Sequence, residues 1–343
     1  MKDFINTDIS IIKESISGNK KKIVIITHRN PDGDAIGASL GLLQILHSLG
    51  HEITVITPNE VPVFLKWMSG FEYVHVFNDD KNKAKELILD AEIIFALDFN
   101  DLTRIKEFNK LVSEKDVLKI MIDHHPNPGD FAGVTISNTE VSSTAELIYY
   151  FIEKAGLINH LNKEGAECLF AGILTDTGCF KFNSSNKETF IVVSELLSFG
   201  FDKDSIYSKL FDNFSELRMR LFGQCLLNKM KILPEYKTGY IIISQEEIQH
   251  FDFQPGDSEG FVNAPLSIEG IRFSVLFTER EGIVKISFRS KGNFPANEIA
   301  RKYFNGGGHL NAAGGESYNT LEKTIRKFES LLDSYKKMLN EEF

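Results

Sequence analysis

Apolar positions in the first half of the chain follow two rhythms. Lys22-Ile23-Val24-Ile25-Ile26, Glu92-Ile93-Ile94-Phe95-Ala96-Leu97 and Lys119-Ile120-Met121-Ile122 are short, nearly unbroken apolar runs. Runs of that length without polar alternation predict strands covered on both faces, as in a parallel sheet. Residues 35–49 instead spread Ile36, Leu40, Leu43, Ile45 and Leu46 over a broad face, which predicts a helix stopped by Gly50. Residues 51–57 predict the next strand. Ser143-Thr144-Ala145-Glu146 reads as a capping box opening a helix through Ala155. Residues 162–174 predict a further helix that ends just before Asp176. Strand, turn, helix and strand in succession predict an α/β domain over residues 1–190, with a parallel sheet flanked by helices.

From residue 187 to 231 the pattern turns helical and charged, and residues 214–231 read as a connecting helix. Residues 191–235 are therefore expected as a helical linker, and 236–343 as a smaller α/β domain. Its signals are strands over 239–244, 273–278 and 283–289, and helices over 296–303 and 321–339. Between those helices lies Asn305-Gly306-Gly307-Gly308-His309-Leu310-Asn311-Ala312-Ala313-Gly314-Gly315.

Charge narrows the picture. The 343 residues hold 48 Asp+Glu against 38 Lys+Arg, whereas a sheath for long duplex nucleic acid is basic. A small anionic substrate stays open, because bound cations and a few arginines dominate a local field. Three dispersed cysteines form neither a disulfide framework nor a paired metal motif, and they read as buried structural thiols in a reducing setting. Residues 1–17 carry acids and no long apolar stretch, so neither a signal peptide nor a membrane span is expected. The expectation is a cytoplasmic protein with no membrane partner.

Chemistry gathers where the apolar runs end. His28-Arg29-Asn30-Pro31-Asp32-Gly33-Asp34, then Asp98, then Asp123-His124-His125 each follow one of the three runs, and Asp176-Thr177-Gly178 follows a helix. Each has a plainer use. Asp32-Gly33 is an everyday turn, Asp98 suits a helix cap or a partner for Arg104, the histidines suit a surface pair, and Asp176 suits a helix end. Together they fall where open α/β sheets build sites, outside the carboxyl ends of the strands. Imidazoles and carboxylates converging there make a metal site. Phosphoester hydrolysis at neutral pH needs a strong nucleophile and neutralised phosphoryl oxygens, which two divalent ions roughly 3.5–4 Å apart supply. Mixed carboxylate and imidazole ligation suits Mn²⁺ better than Ca²⁺.

The order of these four motifs resembles the DHH phosphoesterase superfamily, and Gly306-Gly307-Gly308-His309 resembles the DHHA1 domain that follows in one branch. The resemblance spans residues 20 to 332. Ser142-Ser143-Thr144-Ala145-Glu146, Glu259-Gly260-Phe261-Val262-Asn263 and Phe288-Arg289-Ser290 are similar to the bacterial oligoribonuclease/pAp phosphatases of NrnA type. It implies a catalytic cleft between the two domains and two divalent ions. His28, Asp32 and Asp98 would hold one. Asp34, Asp98, His124 and Asp176 would hold the other, with Asp98 as bridge. Asp123 would orient the histidines, and His125 would face the scissile phosphate.

For the second domain, three glycines leave backbone N–H groups open to an anion, although a flexible turn has the same composition. The resemblance favours substrate contact by Gly306, Gly307, Gly308, His309, Arg289 and Ser290, with Arg104 added from the first domain. The implied substrates are short single-stranded RNA (nanoRNA), pAp (3′-phosphoadenosine-5′-phosphate) or linear dinucleotides. The competing readings are a cyclic-dinucleotide phosphodiesterase, a RecJ-like single-strand exonuclease, and a non-catalytic nucleotide-binding regulator. Apolar helix faces suit a core and a homodimer equally.

Overall fold

A computed structural model describes residues 6–341, and the stretch read for a leader lies partly outside them. The chain forms two compact units, one ending at Asn213 and one starting at Phe214. The first contains α1 (Asn6–Ser15), β1 (Lys22–Ile26), α2 (Gly33–Ser48), β2 (Glu52–Thr57), β3 (Val74–Val76), α3 (Lys81–Asp90) and β4 (Ile93–Leu97). It continues through α4 (Asn109–Glu114), β5 (Leu118–Asp123), β6 (Val134–Ser137), α5 (Thr144–Lys154), α6 (Lys163–Asp176), α7 (Lys187–Leu197) and α8 (Lys203–Phe211).

Its sheet runs β3-β2-β1-β4-β5-β6 with every pair parallel. The unbroken apolar runs have a direct cause. Ile23 and Ile25 of β1 and Ile93, Phe95 and Leu97 of β4 enter one core, while Val24, Ile26, Ile94 and Ala96 enter a second core on the other face. Both faces are covered, so the middle of β1 and β4 is apolar at every position.

Helices α2 and α6 cross at unusually close range. A Cβ on Gly37 would lie 2.5 Å from the Cys168 carbonyl oxygen and 2.8 Å from the Gly172 amide nitrogen. One on Gly172 would lie 2.7 Å from Ala145 Cβ and 3.0 Å from Asp34 Oδ1. The Gly33, Gly37, Gly41 spacing keeps one face of α2 bare, and the two backbones meet there.

The second unit contains α9 (Glu216–Gln224), β7 (Met230–Leu233), β8 (Thr238–Ile243), α10 (Gln245–His250), β9 (Phe273–Arg280) and β10 (Ile283–Ser290). It ends with α11 (Ala296–Tyr303), β11 (Gly307–His309), β12 (Ala312–Ser317) and α12 (Leu321–Asn340). The sheet order is β11-β12-β10-β9-β8-β7, parallel only between β8 and β9. Phe273, Phe277, Phe288, Phe304 and Phe328 fill one face, and Leu221, Ile241, Ile243 and Phe261 the other.

Two segments depart from the sequence reading. The linker helix α9 stops at Gln224, a π-turn follows over Cys225–Lys229, and Met230–Leu233 pair with Thr238–Ile241 as an edge strand. Sheet pairing has overridden helical composition there. The glycine run is likewise no open loop: Gly307–His309 is a strand hydrogen-bonded to β12. Among the described residues, no helix is long and apolar enough to cross a membrane.

Candidate metal centre

The strand order makes β1 and β4 neighbours, with β2 and β3 on one side and β5 and β6 on the other. Chain direction across the sheet reverses at that point, which opens a crevice at the strands' carboxyl ends. Three adjacent strands feed it. His28 follows β1, Asp98 follows β4, and Asp123 closes β5 with His124 and His125 behind it. Asp32 caps α2, Asp34 lies in that helix's first turn, and Asp176 is the last residue of α6. The close α2–α6 crossing carries Asp176 to Asp34. Asp98 turns out of its strand with φ of 63°, a left-handed conformation that aspartate tolerates better than most residues.

The site residues read from sequence in the first unit form contiguous sets. His28, Asp32 and Asp98 each offer an atom, all within 4.8 Å of one another, and so do Asp34, His124 and Asp176. Asp98, Asp123 and His125 form a third such set. The oxygens of Asp98 divide between two histidines, with Oδ2 3.3 Å from His28 Nε2 and Oδ1 3.6 Å from His124 Nε2. His124 Nε2 also lies 3.6 Å from Asp176 Oδ2 and 3.8 Å from Asp34 Oδ2. Ligand atoms about 2.1 Å from one ion stand about 3 to 3.5 Å apart, so these spacings fit divalent metal.

Electrostatics point the same way. Burial, then the charges of Asp98 and Asp32, push Asp34 well above the usual carboxylate range, against the pull of two backbone amides. Burial, then Asp32, Asp123 and Asp176, do the same to Asp98, which is 2% exposed. Such crowding of buried acids is relieved by a cation. Burial also pushes Asp32 up, but His28, the Ala35 amide, His125 and Arg104 outweigh it and leave this acid low. Burial holds His28 down, with Arg104 helping and Asp32 opposing.

His125 stands apart from these two sets. Its Nδ1 lies 2.8 Å from Asp123 Oδ1, and its amide donates to Asp123 Oδ2 at 3.1 Å. A carboxylate accepts, so Nδ1 carries the proton and Nε2 is left with the lone pair. Burial, Arg104 and His28 push this imidazole down to about 3. Asp32 is a helix cap rather than part of a turn, since its Oδ1 accepts from the amides of Asp34 and Ala35 at the start of α2. Arg104 lies in a 3₁₀ turn, Leu102–Ile105, and its charge is felt at His28, Asp32 and His125.

In the second unit, strand register brings together residues that the sequence keeps apart. Arg289 on β10 is paired with Ala312 on β12, and Ala312 with His309 on β11. Paired residues project to the same face, so Arg289 and His309 share the face opposite Phe288 and Ala313, which are buried. Ser290 points the other way and is engaged internally: its hydroxyl donates to the Phe294 carbonyl at 2.7 Å and accepts from Asn311 Nδ2 at 2.8 Å. Gly306 and Gly308 pack against the hairpin backbone, with Cβ positions 1.9 Å from the Gly314 oxygen and 2.5 Å from the Ala312 oxygen, whereas nothing approaches Gly307 within 4 Å.

Comparison with known proteins now decides the family. The model of the DHH family's N-terminal domain matches residues 22–173, and that of the DHHA1 domain matches 238–341. The chain is 30% identical over 311 residues to the Thermus thermophilus bifunctional oligoribonuclease and PAP phosphatase NrnA, covering 89% of this chain and 86% of that protein. The chain belongs to the DHH/DHHA1 family. A probable bifunctional oligoribonuclease and PAP phosphatase NrnA of Streptococcus mutans is 28% identical over 301 residues, 88% of this chain and 91% of that protein. The crystal structure of an exopolyphosphatase-related protein from Bacteroides fragilis superposes with a TM-score of 0.94 at 46% identity, covering 99% of this chain and all of that one. As a metal-dependent DHH/DHHA1 phosphoesterase, this hydrolase resembles the NrnA type.

The acids and imidazoles that lie together in these sets of the first unit are ones the sequence pointed to. It passed over the glycines that let α2 meet α6, although the Gly33-x₃-Gly37-x₃-Gly41 spacing was there to be read. It also missed Ala312, whose small side chain separates Arg289 from His309.

Proposed function

We propose that this phosphoesterase hydrolyses short RNA oligonucleotides to mononucleotides and removes the 3′-phosphate of pAp, with two divalent ions, Mn²⁺ foremost. The observation that carries the two-ion reading is the division of the Asp98 oxygens between His28 and His124. The substrate class rests on the likeness over nearly full length to proteins described as oligoribonucleases and PAP phosphatases. When bound, divalent ions supply a nucleophile at neutral pH and neutralise charge on the phosphoryl group.

The protein's own groups do the rest. His28, Asp32 and Asp98 would hold one ion, and Asp34, Asp98, His124 and Asp176 would hold the other. Asp123 fixes the His125 ring through Nδ1 and so presents Nε2 to the scissile phosphate. In that orientation the neutral ring offers only the Nε2 lone pair, and an anion beside it raises its affinity for protons. Arg104 adds positive charge beside the same ring. Arg289 and His309, sharing one face, grip a second phosphate or a terminal nucleotide, and the glycine strand lets backbone approach it. Gripping one end favours strands of a few nucleotides, in keeping with the acidic balance of the chain. Action in the cytoplasm fits this substrate class.

The deciding experiment is Mn²⁺-dependent hydrolysis of 5′-labelled RNA from dinucleotide to long strands, with pAp and a cyclic dinucleotide assayed in parallel. The expected result is preference for the shortest RNAs together with phosphate release from pAp. Processive decay of long strands would place the enzyme with RecJ-like exonucleases. Turnover confined to cyclic dinucleotides would mark a signalling phosphodiesterase, and tight nucleotide binding without turnover a regulator.

A further inference from the structure

The first turn of α5 does more than begin a helix. A helix start leaves its leading N–H groups without intrahelical partners. Here two of them go to one acid of the metal centre: Thr144 N donates to Asp34 Oδ2 at 2.6 Å, and Ala145 N to Asp34 Oδ1 at 2.9 Å. The third, Glu146 N, is taken by the Ser143 hydroxyl at 3.1 Å. The Thr144 hydroxyl then turns to a different acid and donates to Asp98 Oδ1 at 2.9 Å. This is the oxygen that faces His124, whereas the other oxygen faces His28.

The turn itself is braced from below. Glu146, fully buried, accepts from Ser142 N at 2.9 Å, Ser142 Oγ at 2.6 Å, Thr189 Oγ1 at 3.0 Å and Tyr150 OH at 3.0 Å. Four donors satisfy a carboxylate that would otherwise be costly to bury. The sequence reading expected Glu146 to return to the Ser143 amide as in a capping box. It reaches one residue further back instead, and so ties the preceding loop to the helix. Thr144 is thus fixed at both ends, by the braced backbone behind it and by Asp98 ahead of it.

We infer that Thr144 is a positioning residue for the bridging acid: its hydroxyl sets the rotation of the Asp98 carboxylate so that each oxygen serves a different ion. The inference rests on the two-ion reading above. A carboxylate rotates about its Cβ–Cγ bond with little resistance, and two ligand sets compete for its oxygens. A donor on Oδ1 holds the plane in the split orientation before metal arrives. Without it, the carboxylate is free to turn both oxygens to the His28 and Asp32 side, and the ion held with His124 is the one that suffers.

The test compares Mn²⁺ binding to the whole protein by titration calorimetry, with electron paramagnetic resonance to detect spin-coupled ions. Thr144→Val keeps the side-chain shape and removes the donor, and Thr144→Ser keeps the donor. The valine variant should bind the first ion as the wild type does and the second about 10- to 100-fold more weakly, the usual effect of losing a partner that orients a ligand. Its kcat at limiting Mn²⁺ should fall with KM unmoved, high Mn²⁺ should restore it, and serine should recover most of the binding. If valine prevents folding, Thr144→Ala carries the same expectation. Second-ion affinity equal to or tighter than wild type in a folded variant overturns the role of Thr144 alone. A wild-type protein that takes up fewer than two Mn²⁺ overturns the two-ion reading and this inference together.

Discussion

The two units put chemistry in place by opposite means. In the first, every strand of the sheet runs the same way, so each delivers its following residues to one edge, and acids separated by up to 144 positions, Asp32 to Asp176, converge there. In the second, mostly antiparallel strands bring residues together by lateral register, as Arg289, Ala312 and His309 show. Parallel order concentrates side chains at strand ends, and antiparallel pairing lines them up across a face. The first unit therefore packs charge together at one edge of its sheet, and the second displays groups side by side across a sheet surface.

Asp98→Asn should break the first unit most severely. Asparagine tolerates φ of 63° and still accepts from Thr144, so backbone and packing are spared. What is lost is one negative charge shared by both ligand sets. Several kcal/mol of charge stabilisation correspond to a fall in kcat of on the order of a thousandfold or more. Turnover of a dinucleotide RNA with Mn²⁺ measures it, beside a thermal melt to verify the fold. Near wild-type turnover with metal still bound would end the role of Asp98 as bridge.

For the second unit, adjacent glycines sharpen the contrast between packing and function. Gly308 has φ of 137° and no room for a Cβ beside the Ala312 oxygen. Gly308→Ala should therefore lower stability by about 1–3 kcal/mol in urea unfolding. Gly307 has open space around its Cβ position, so Gly307→Ala should stay within about 0.5 kcal/mol of wild type. If substrate backbone approaches the strand, Gly307→Ala should still weaken nucleotide binding about tenfold, the worth of one hydrogen bond to an anion. Unchanged binding in that variant would reduce the glycine run to a packing device.

The same contrast explains what could be read from the sequence. An acid or histidine directly after an unbroken apolar run is visible in one dimension, because burial of the strand and exposure of its end are both local patterns. His28, Asp98 and His124 were legible for that reason, and the DHH order made them specific. The hairpin at Gly307–His309 was not, because three glycines carry no side chain whose periodicity could mark a strand. The placement of Ser290 was not legible for a related reason: its neighbour Arg289 lies on the outer face, and the alternation of a strand turns the next residue inward. The end of α9 at Gln224 depended on Met230–Leu233 pairing with Thr238–Ile241, and the helical, charged composition of residues 214–231 does not show that pairing.

The smallest effect concerns acids, and it sets the units against each other once more. Asp34 and Asp98 are held high by burial and by one another. Glu247 in α10 is pushed up by burial too, yet Lys229, the Ser244 hydroxyl and the Ser244 amide outweigh it and hold this acid below the usual range. Its Oε1 lies 2.7 Å from Lys229 Nζ, and its Oε2 accepts from the Ser244 amide at 3.0 Å. A folded-state value below the unfolded one, about 4.3, means that the stabilisation is complete above that unfolded value. It is lost as pH falls through the folded value. Glu247→Gln should thus cost on the order of 1 kcal/mol at neutral pH, and the difference from wild type should shrink in urea titrations below about pH 4. Turnover at neutral pH should not change, because this acid already has its cation in the fold. A difference that stayed constant down to pH 3 would assign the loss to packing and remove the ion pair from the account. Asp34 and Asp98, crowded and buried as they are, call for a cation from outside the chain, and that separates a carboxylate that stabilises a fold from one that awaits a metal.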